Sequence, residues 1–214
     1  MSTNQSPARH SFRAIRAQYT ATTITVYQAY NSDIANPALE AQKFISPPFS
    51  MSRMTWIKPS FLWMAYRCGY ASKPGQERVL AIEITRAGFE WALRNSCLSH
   101  YDGGQQKASD SDKDKKLDEW RAKLRASPVR IQWDPERNLK FAPLPHRSIQ
   151  IGLGPQAVQK YLNEWVVSIK DVTERMRNIH ELVEAGLMED AEKLVPIEQA
   201  YPLSDELRAI TEAS

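Results

Sequence analysis

Cations and flat rings are interleaved in the first third of this chain: Arg13, Arg16, Tyr19, Tyr27, Gln28, Tyr30, Trp56, Lys58, Trp63, Tyr66, Arg67 and Tyr70. Guanidinium and ammonium groups meet phosphate oxygens, ring faces stack on a base, and an amide reads ribose hydroxyls or base edges. Together these are the contacts a nucleotide or dinucleotide requires. A single aromatic in a small domain more often fills the core, with its arginine neighbour laid along it. The weight therefore falls on the Arg13/Arg16 pair, which precedes a strand in a polar setting. On this reading Arg16 and Lys58 contact a pyrophosphate, Tyr27 and Tyr66 stack, and Gln28 holds the ribose. Tyr30, Ser60 and Arg147 complete the candidate cofactor-binding set.

Other chemistries find little support. His10, His100, His146 and His180 are scattered, with no i, i+4 pair and no neighbouring cysteine, so no metal site is expected. The nucleophile-elbow, P-loop and paired-histidine zinc signatures are absent. Cys68 falls on an apolar helical face and reads as core, and Cys97 has no base near it in sequence. The strand-to-helix turn Gly152-Leu153-Gly154-Pro155 could receive an anion on its backbone N–H groups, although Pro155 removes one donor.

These residues need elements to position them. The run TITVYQAY, Thr23 to Tyr30, is β-branched, aromatic and alternating, and predicts a strand. Asn31 and Ser32 cap a short helix that Pro47 and Pro48 end. Met51 to Ile57 reads as a second strand, and Ser60 caps a helix from Phe61 to about Ala71 whose Phe61, Met64, Ala65 and Cys68 share one face. A core strand, Val79 to Ile84, leads through a Thr85 cap into a helix. Residues 105–127 read as a solvent-facing helix behind a mobile linker at about 102–112. Strands at Val129 to Asp134 and Arg147 to Gly152 follow, with a turn at Pro135 to Asn138. One long helix is expected from Pro155 to Gly186, its stripe running from Val158 to Val183, with shorter helices around Ala191 and from Ser204. This order predicts an α+β fold: a mostly antiparallel sheet, flanking helices and a long C-terminal helix. The expected divisions are a disordered terminus (1–11), an α+β core (12–153) and a helical region packed on it (154–214).

At 214 residues, 42% hydrophobic and 25% charged, the chain has the composition of a soluble globular protein. Its longest apolar run, Phe61 to Tyr66, is far short of the ~18 residues of a membrane helix. The first ten residues lack an apolar segment of the kind a secretory signal needs, and two cysteines make no disulfide framework, so a reducing cytoplasm is the expected setting. Charge is uneven: residues 1–153 hold 22 Lys and Arg against 13 Asp and Glu, and residues 154–214 hold 6 against 12. A basic body facing phosphates also suits a non-catalytic module for RNA or single-stranded nucleic acid. A third reading is an assembly protein whose long C-terminal helix docks a partner or a second copy. Oligomeric state is not readable.

The strings IRAQYTATTITVYQAY, MTWIKPSFLWMAYRCGYA, QERVLAIEITRAGFEWAL, VRIQWDPERN and RSIQIGLG resemble the family known as domain of unknown function family 4291, over roughly residues 10–210. More distantly, VYQAYNSDIANPAL resembles the opening segment of ADP-ribosyltransferase-like domains, and MTWI, SFLWMAYRCGYA, VLAIEI, VRIQWD and RSIQIG follow in the same order. That resemblance implies an NAD-dependent transferase. Gln28 falls where such enzymes usually carry a histidine, Tyr27 or Tyr30 would stack on nicotinamide, and Gln150, ahead of Gln132, falls where many place a catalytic glutamate. Gln28 and Gln150 are thus the implied catalytic pair. The chain departs from the pattern in two ways: an amide cannot supply the carboxylate that orients the ribose hydroxyl, and the two-glycine turn after the first strand is missing.

Overall fold

The computed structural model describes residues 11–101 and 110–214. Along the chain run β1 (Arg16–Ala17), β2 (Thr23–Tyr30), α1 (Ser32–Ala41), β3 (Thr55–Ile57), α2 (Phe61–Cys68), β4 (Arg78–Thr85), α3 (Arg86–Arg94) and β5 (Ser96–Leu98). They are followed by α4 (Asp110–Ala126), β6 (Val129–Arg137), β7 (Pro143–Leu153), α5 (Pro155–Lys160), a π-helical turn (Tyr161–Trp165), β8 (Val166–Asp171), α6 (Thr173–Glu184), α7 (Met188–Leu194), β9 (Gln199–Ala200) and α8 (Asp205–Thr211).

The strands form three sheets, in the orders β2-β4-β8, β3-β7-β6-β5 and β1-β9. Among the described residues every pairing of these strands is antiparallel except β5 with β6. The fold is α+β with a mostly antiparallel arrangement. Tyr27 and Lys58 exchange both backbone hydrogen bonds, at 2.7 and 3.2 Å, which fastens the end of β3 to β2 and joins the two larger sheets.

Period-two alternation divides β2 and β4 between two cores. Ile24 and Val26 of β2, with Leu80, Ile82 and Ile84 of β4, pack with Val129, Ile131, Ile149 and Ile151 of the four-stranded sheet and with α3 and α5. Tyr27 and Val79 point the other way, into a second cluster with Phe61, Met64 and Cys68 of α2 and Met176 and Ile179 of α6. The helix starts follow the cap chemistry in the sequence: Asn31, Ser60 and Thr85 accept the backbone N–H groups of Ile34, Trp63 and Gly88.

The single helix expected from Pro155 to Gly186 is instead α5, the π-helical turn, β8 and α6. Val166, Val167 and Ile169 favour extended backbone, and β4 offers an open edge that β8 fills, with Ile169 opposite Ile82. Residues 154–214 therefore complete the core sheet. The apolar stripe that was expected to seek a partner is covered by the chain itself: Val158, Tyr161, Trp165, Ile169, Met176 and Ile179 are all buried. Three smaller corrections follow from local geometry. The second strand is only Thr55–Ile57, α2 ends at Cys68 where Gly69 turns left-handed, and β6 runs through Arg137 by a bulge, so the reversal lies at Asn138 to Ala142. Of the expected disordered terminus and mobile linker, residues 1–10 and 102–109 lie outside the described residues, and 110–112 belong to α4. Among the described residues no helix is long and apolar enough to cross a membrane.

Candidate functional site

Alternation along β2 decides which of its side chains can meet. Gln28 shares a face with Val26 and Tyr30, and its side chain is buried. Its amide donates to Thr55 Oγ1 at 2.8 Å and to the Trp56 carbonyl at 3.4 Å, and its Oε1 accepts the Tyr161 hydroxyl at 2.8 Å. Tyr30 shares a hydrogen bond with the same Thr55 hydroxyl at 3.0 Å. Burial pushes the Tyr161 and Tyr30 hydroxyls well above the usual tyrosine range. This neutral network fixes the end of β2 against β3.

Beside it opens a cleft of about 540 Å³, walled by the ends of β2 and α1, by residues 48–58, by α2 and by Pro74 to Gln76. Its lining carries Arg53, Lys58 and Arg67, and no Asp or Glu. None of the three cations forms a salt bridge among the described residues. Arg53 and Arg67 are exposed, whereas Lys58 is only 7% exposed. The Lys58 Nζ donates to the Trp56 carbonyl at 3.3 Å. Burial, reinforced by the Arg67 charge, pushes the Lys58 amine down to about 8, against a pull from Cys68 and Asp134 in the other direction. Trp56 sits opposite Gly152 on β7, and a Cβ there would lie 3.0 Å from the indole, so the glycine makes room for the ring. Trp56 stays partly exposed in the cleft wall.

Gln28, Tyr30 and Lys58 are thus brought together, with Trp56 and Arg67 of the same sequence cluster, and the remaining candidates are not. Tyr27, next to Gln28 on a strand, points to the opposite face, packs edge-on against Phe61 and donates to Gln18 at 3.2 Å in a different hollow. Arg16 lies on β1 and donates to the Glu198 carbonyl at 3.2 Å, lining a third hollow with Arg13 and Arg208. The shared pocket expected of Arg16, Tyr27 and Lys58 does not form. Ser60 is buried as the α2 cap. Tyr66 lies under the Arg137 guanidinium, 4.1 Å from the ring centroid. Arg147 donates to the Trp133 carbonyl at 3.4 Å and sits over Phe12. Gln150 donates to Asp134 at 2.8 Å, as does Gln132, so the implied pair Gln28 and Gln150 occupies two separate networks.

Two features escaped the sequence reading. Arg53 precedes a strand in a polar setting, the same signal that drew attention to Arg13 and Arg16. The second feature is a carboxyl pair at the start of α2: Glu198 accepts the Phe61 N–H at 2.7 Å, and Glu136, buried at the β6 bulge, hydrogen-bonds Ser60 and Ser148. Burial pushes Glu198 up to about 8 against the Phe61 N–H, with Glu136 adding to the rise and Arg16 opposing it. Burial also raises Glu136. Nothing in the sequence marks two acids distant along the chain as neighbours.

A family model described as Domain of unknown function (DUF4291) matches residues 14–201. No curated protein and no solved structure matches the chain.

Proposed function

The chain belongs to the DUF4291 family, whose description assigns no activity, and from the cleft geometry we propose that it binds a phosphate-bearing nucleotide between β2, β3 and α2. The observation that carries this reading is the charge of the lining: three cations, no carboxylate, and no salt bridge to any of them among the described residues. Cations left unpaired around a concavity attract an anion, and a charge-assisted hydrogen bond to phosphate contributes about 1.5–3 kcal/mol. Buried Lys58, just past β3, and exposed Arg53 and Arg67, from the loop before β3 and from α2, line one cleft, so a phosphate can meet more than one of them. At about 540 Å³ the cleft lies within the ordinary size range for small-ligand sites.

A nucleotide fits better than a bare phosphate because the same walls carry a ring and amides. Trp56 offers an indole to a base, and Asn31 and Gln76 offer hydrogen-bonding groups to a ribose or base edge. Tyr30 is less suited to stacking, since Phe44 and Phe49 already pack against its ring. What the cleft supports is binding. Gln28 is engaged at both ends of its amide and Gln150 lies outside the lining, so NAD, ADP-ribose and ADP are candidate ligands without an assigned transfer step.

Isothermal titration with ADP, NAD and ADP-ribose, with adenosine as the phosphate-free control, tests the reading. Saturable binding that adenosine lacks and Arg67→Ala weakens supports it. No binding of any of the three at millimolar concentration, or equal binding of adenosine and ADP, overturns it.

A further inference from the structure

The cleft holds two kinds of cation. Arg53 and Arg67 each present a guanidinium, a planar fork of N–H donors that matches a phosphate. Lys58 is the only primary amine in the lining among the described residues, and the most buried of the three cations, at 7% exposure beside the Gln28 and Thr55 network. Its Nζ has one backbone acceptor at 3.3 Å and no salt bridge among the described residues, and burial with the Arg67 charge outweighs the pull of Cys68 and Asp134 toward the charged form. An amine that is desolvated, or that stands near another cation, becomes a nucleophile toward carbonyl carbon. Lys58 meets both conditions, and the direction in which burial and Arg67 push its basicity agrees.

We propose that Lys58 captures a phosphate ester bearing a reducing carbonyl, such as ADP-ribose or an aldose phosphate, as an imine on its Nζ. This deepens the cleft reading and rests on it: Arg53 and Arg67 seat the phosphate, and the open-chain aldehyde reaches the amine. The neutral amine's lone pair attacks the carbonyl carbon, and the oxygen takes a proton to give a carbinolamine. The C–O bond then breaks, the oxygen leaves as water with both nitrogen hydrogens accounted for, and the C=N bond remains. No oxidant or reductant takes part, and hydrolysis reverses the step. In NAD the corresponding ribose carbon is tied up in its bond to nicotinamide, so NAD binds without forming the imine.

The test is borohydride trapping. Full-length protein is incubated with ADP-ribose, ribose 5-phosphate or NAD, each with borohydride, then digested and mapped by mass spectrometry. Hydride reduces an imine to a stable secondary amine. The expected result is an adduct confined to the peptide carrying Lys58, formed with either aldose and absent with NAD and in Lys58→Arg. An adduct with ADP-ribose alone assigns a dinucleotide-type ligand, and one with ribose 5-phosphate as well assigns a general aldose phosphate; both support the proposal. If calorimetry shows ADP-ribose binding while trapping gives no adduct, or spreads it over surface lysines equally in Lys58→Arg, the imine is wrong and the cleft reading stands. If no ligand binds at all, the cleft reading fails and the imine with it.

Discussion

Gln28 and Lys58 share one acceptor: the Trp56 carbonyl receives the Gln28 amide at 3.4 Å and the Lys58 ammonium at 3.3 Å. A single carbonyl so placed cannot satisfy a buried ammonium, which has three N–H groups to place. Lys58 therefore enters the folded state short of partners, and burial with the Arg67 charge lowers its amine from the ordinary 10.5 to about 8.

ADP brings no aldehyde, so its diphosphate can reach Lys58 as well as Arg53 and Arg67, and its binding should reverse that shift, since a phosphate beside the amine favours its charged form. Proton uptake should accompany ADP binding at about pH 9, where free Lys58 is largely neutral, and should vanish near pH 6.5, where it is already charged. Affinity should fall as pH rises through about 8. Calorimetry in buffers of different ionisation enthalpy reads the proton count directly. A count of zero at the higher pH would show that Lys58 is not at the phosphate.

Removing Gln28 should cost stability. Tyr161 is fully buried and donates to Gln28 Oε1, so Gln28→Ala leaves that hydroxyl without its acceptor. A buried polar group so orphaned costs about 1–3 kcal/mol. Tyr161→Phe removes the donor, and the double variant should lose less than the two single losses combined, because the second change relieves the orphan left by the first. Urea unfolding of the three variants checks this. Strict additivity would mean the hydrogen bond contributes little.

Glu198 predicts a pH dependence of stability rather than of affinity. Its folded carboxyl holds a proton up to about 8, while an unfolded one releases it near the ordinary 4.5. Between those values the folded state binds more protons, so stability falls as pH rises, by on the order of 1 kcal/mol per pH unit at most. Glu136 is raised in the same sense and Arg16 opposes the rise at Glu198, so the observed slope is their sum. Glu198→Gln keeps a side-chain oxygen to accept the Phe61 N–H and carries no charge. It should flatten the slope and exceed the parent chain in stability above about pH 8. Chemical denaturation from pH 5 to 9 measures it, and an unchanged slope would assign the dependence elsewhere.

Much of the fold was legible where local signals stand alone. β2 occupies Thr23–Tyr30, the same residues whose alternation announces it, and the Asn31, Ser60 and Thr85 caps each start a helix. β8 was hidden because Val158, Tyr161, Trp165, Ile169 and Val172 also fit a helical period, and only the unfilled edge of β4 selects the extended form. At the site, Gln28, Tyr30 and Lys58 were found from residue type. Tyr27 was grouped with Gln28 although adjacent strand residues face opposite ways, an error the period itself could have prevented. Arg16 went astray for a different reason: β1 pairs with β9, a contact across most of the chain that no local pattern encodes.

The cleft wall offers a final test that separates local packing from general loss of stability. A Cβ on Gly152 would lie 2.7 Å from Met54 Sδ and 3.0 Å from the Trp56 indole, so Gly152→Ala must push both side chains, each of which lines the cleft. Overpacking of this kind costs about 1–3 kcal/mol. Gly88 on α3 is crowded more severely, since a Cβ there would lie 2.3 Å from the buried Trp165 ring, outside the cleft lining, and Gly88→Ala should cost more. ADP affinity distinguishes the two variants. It should drop in Gly152→Ala, where the indole is displaced, and stay near the parent value in Gly88→Ala under conditions where both remain folded. Equal affinities in the two variants would remove Trp56 from the binding surface and leave the cations alone to hold the ligand.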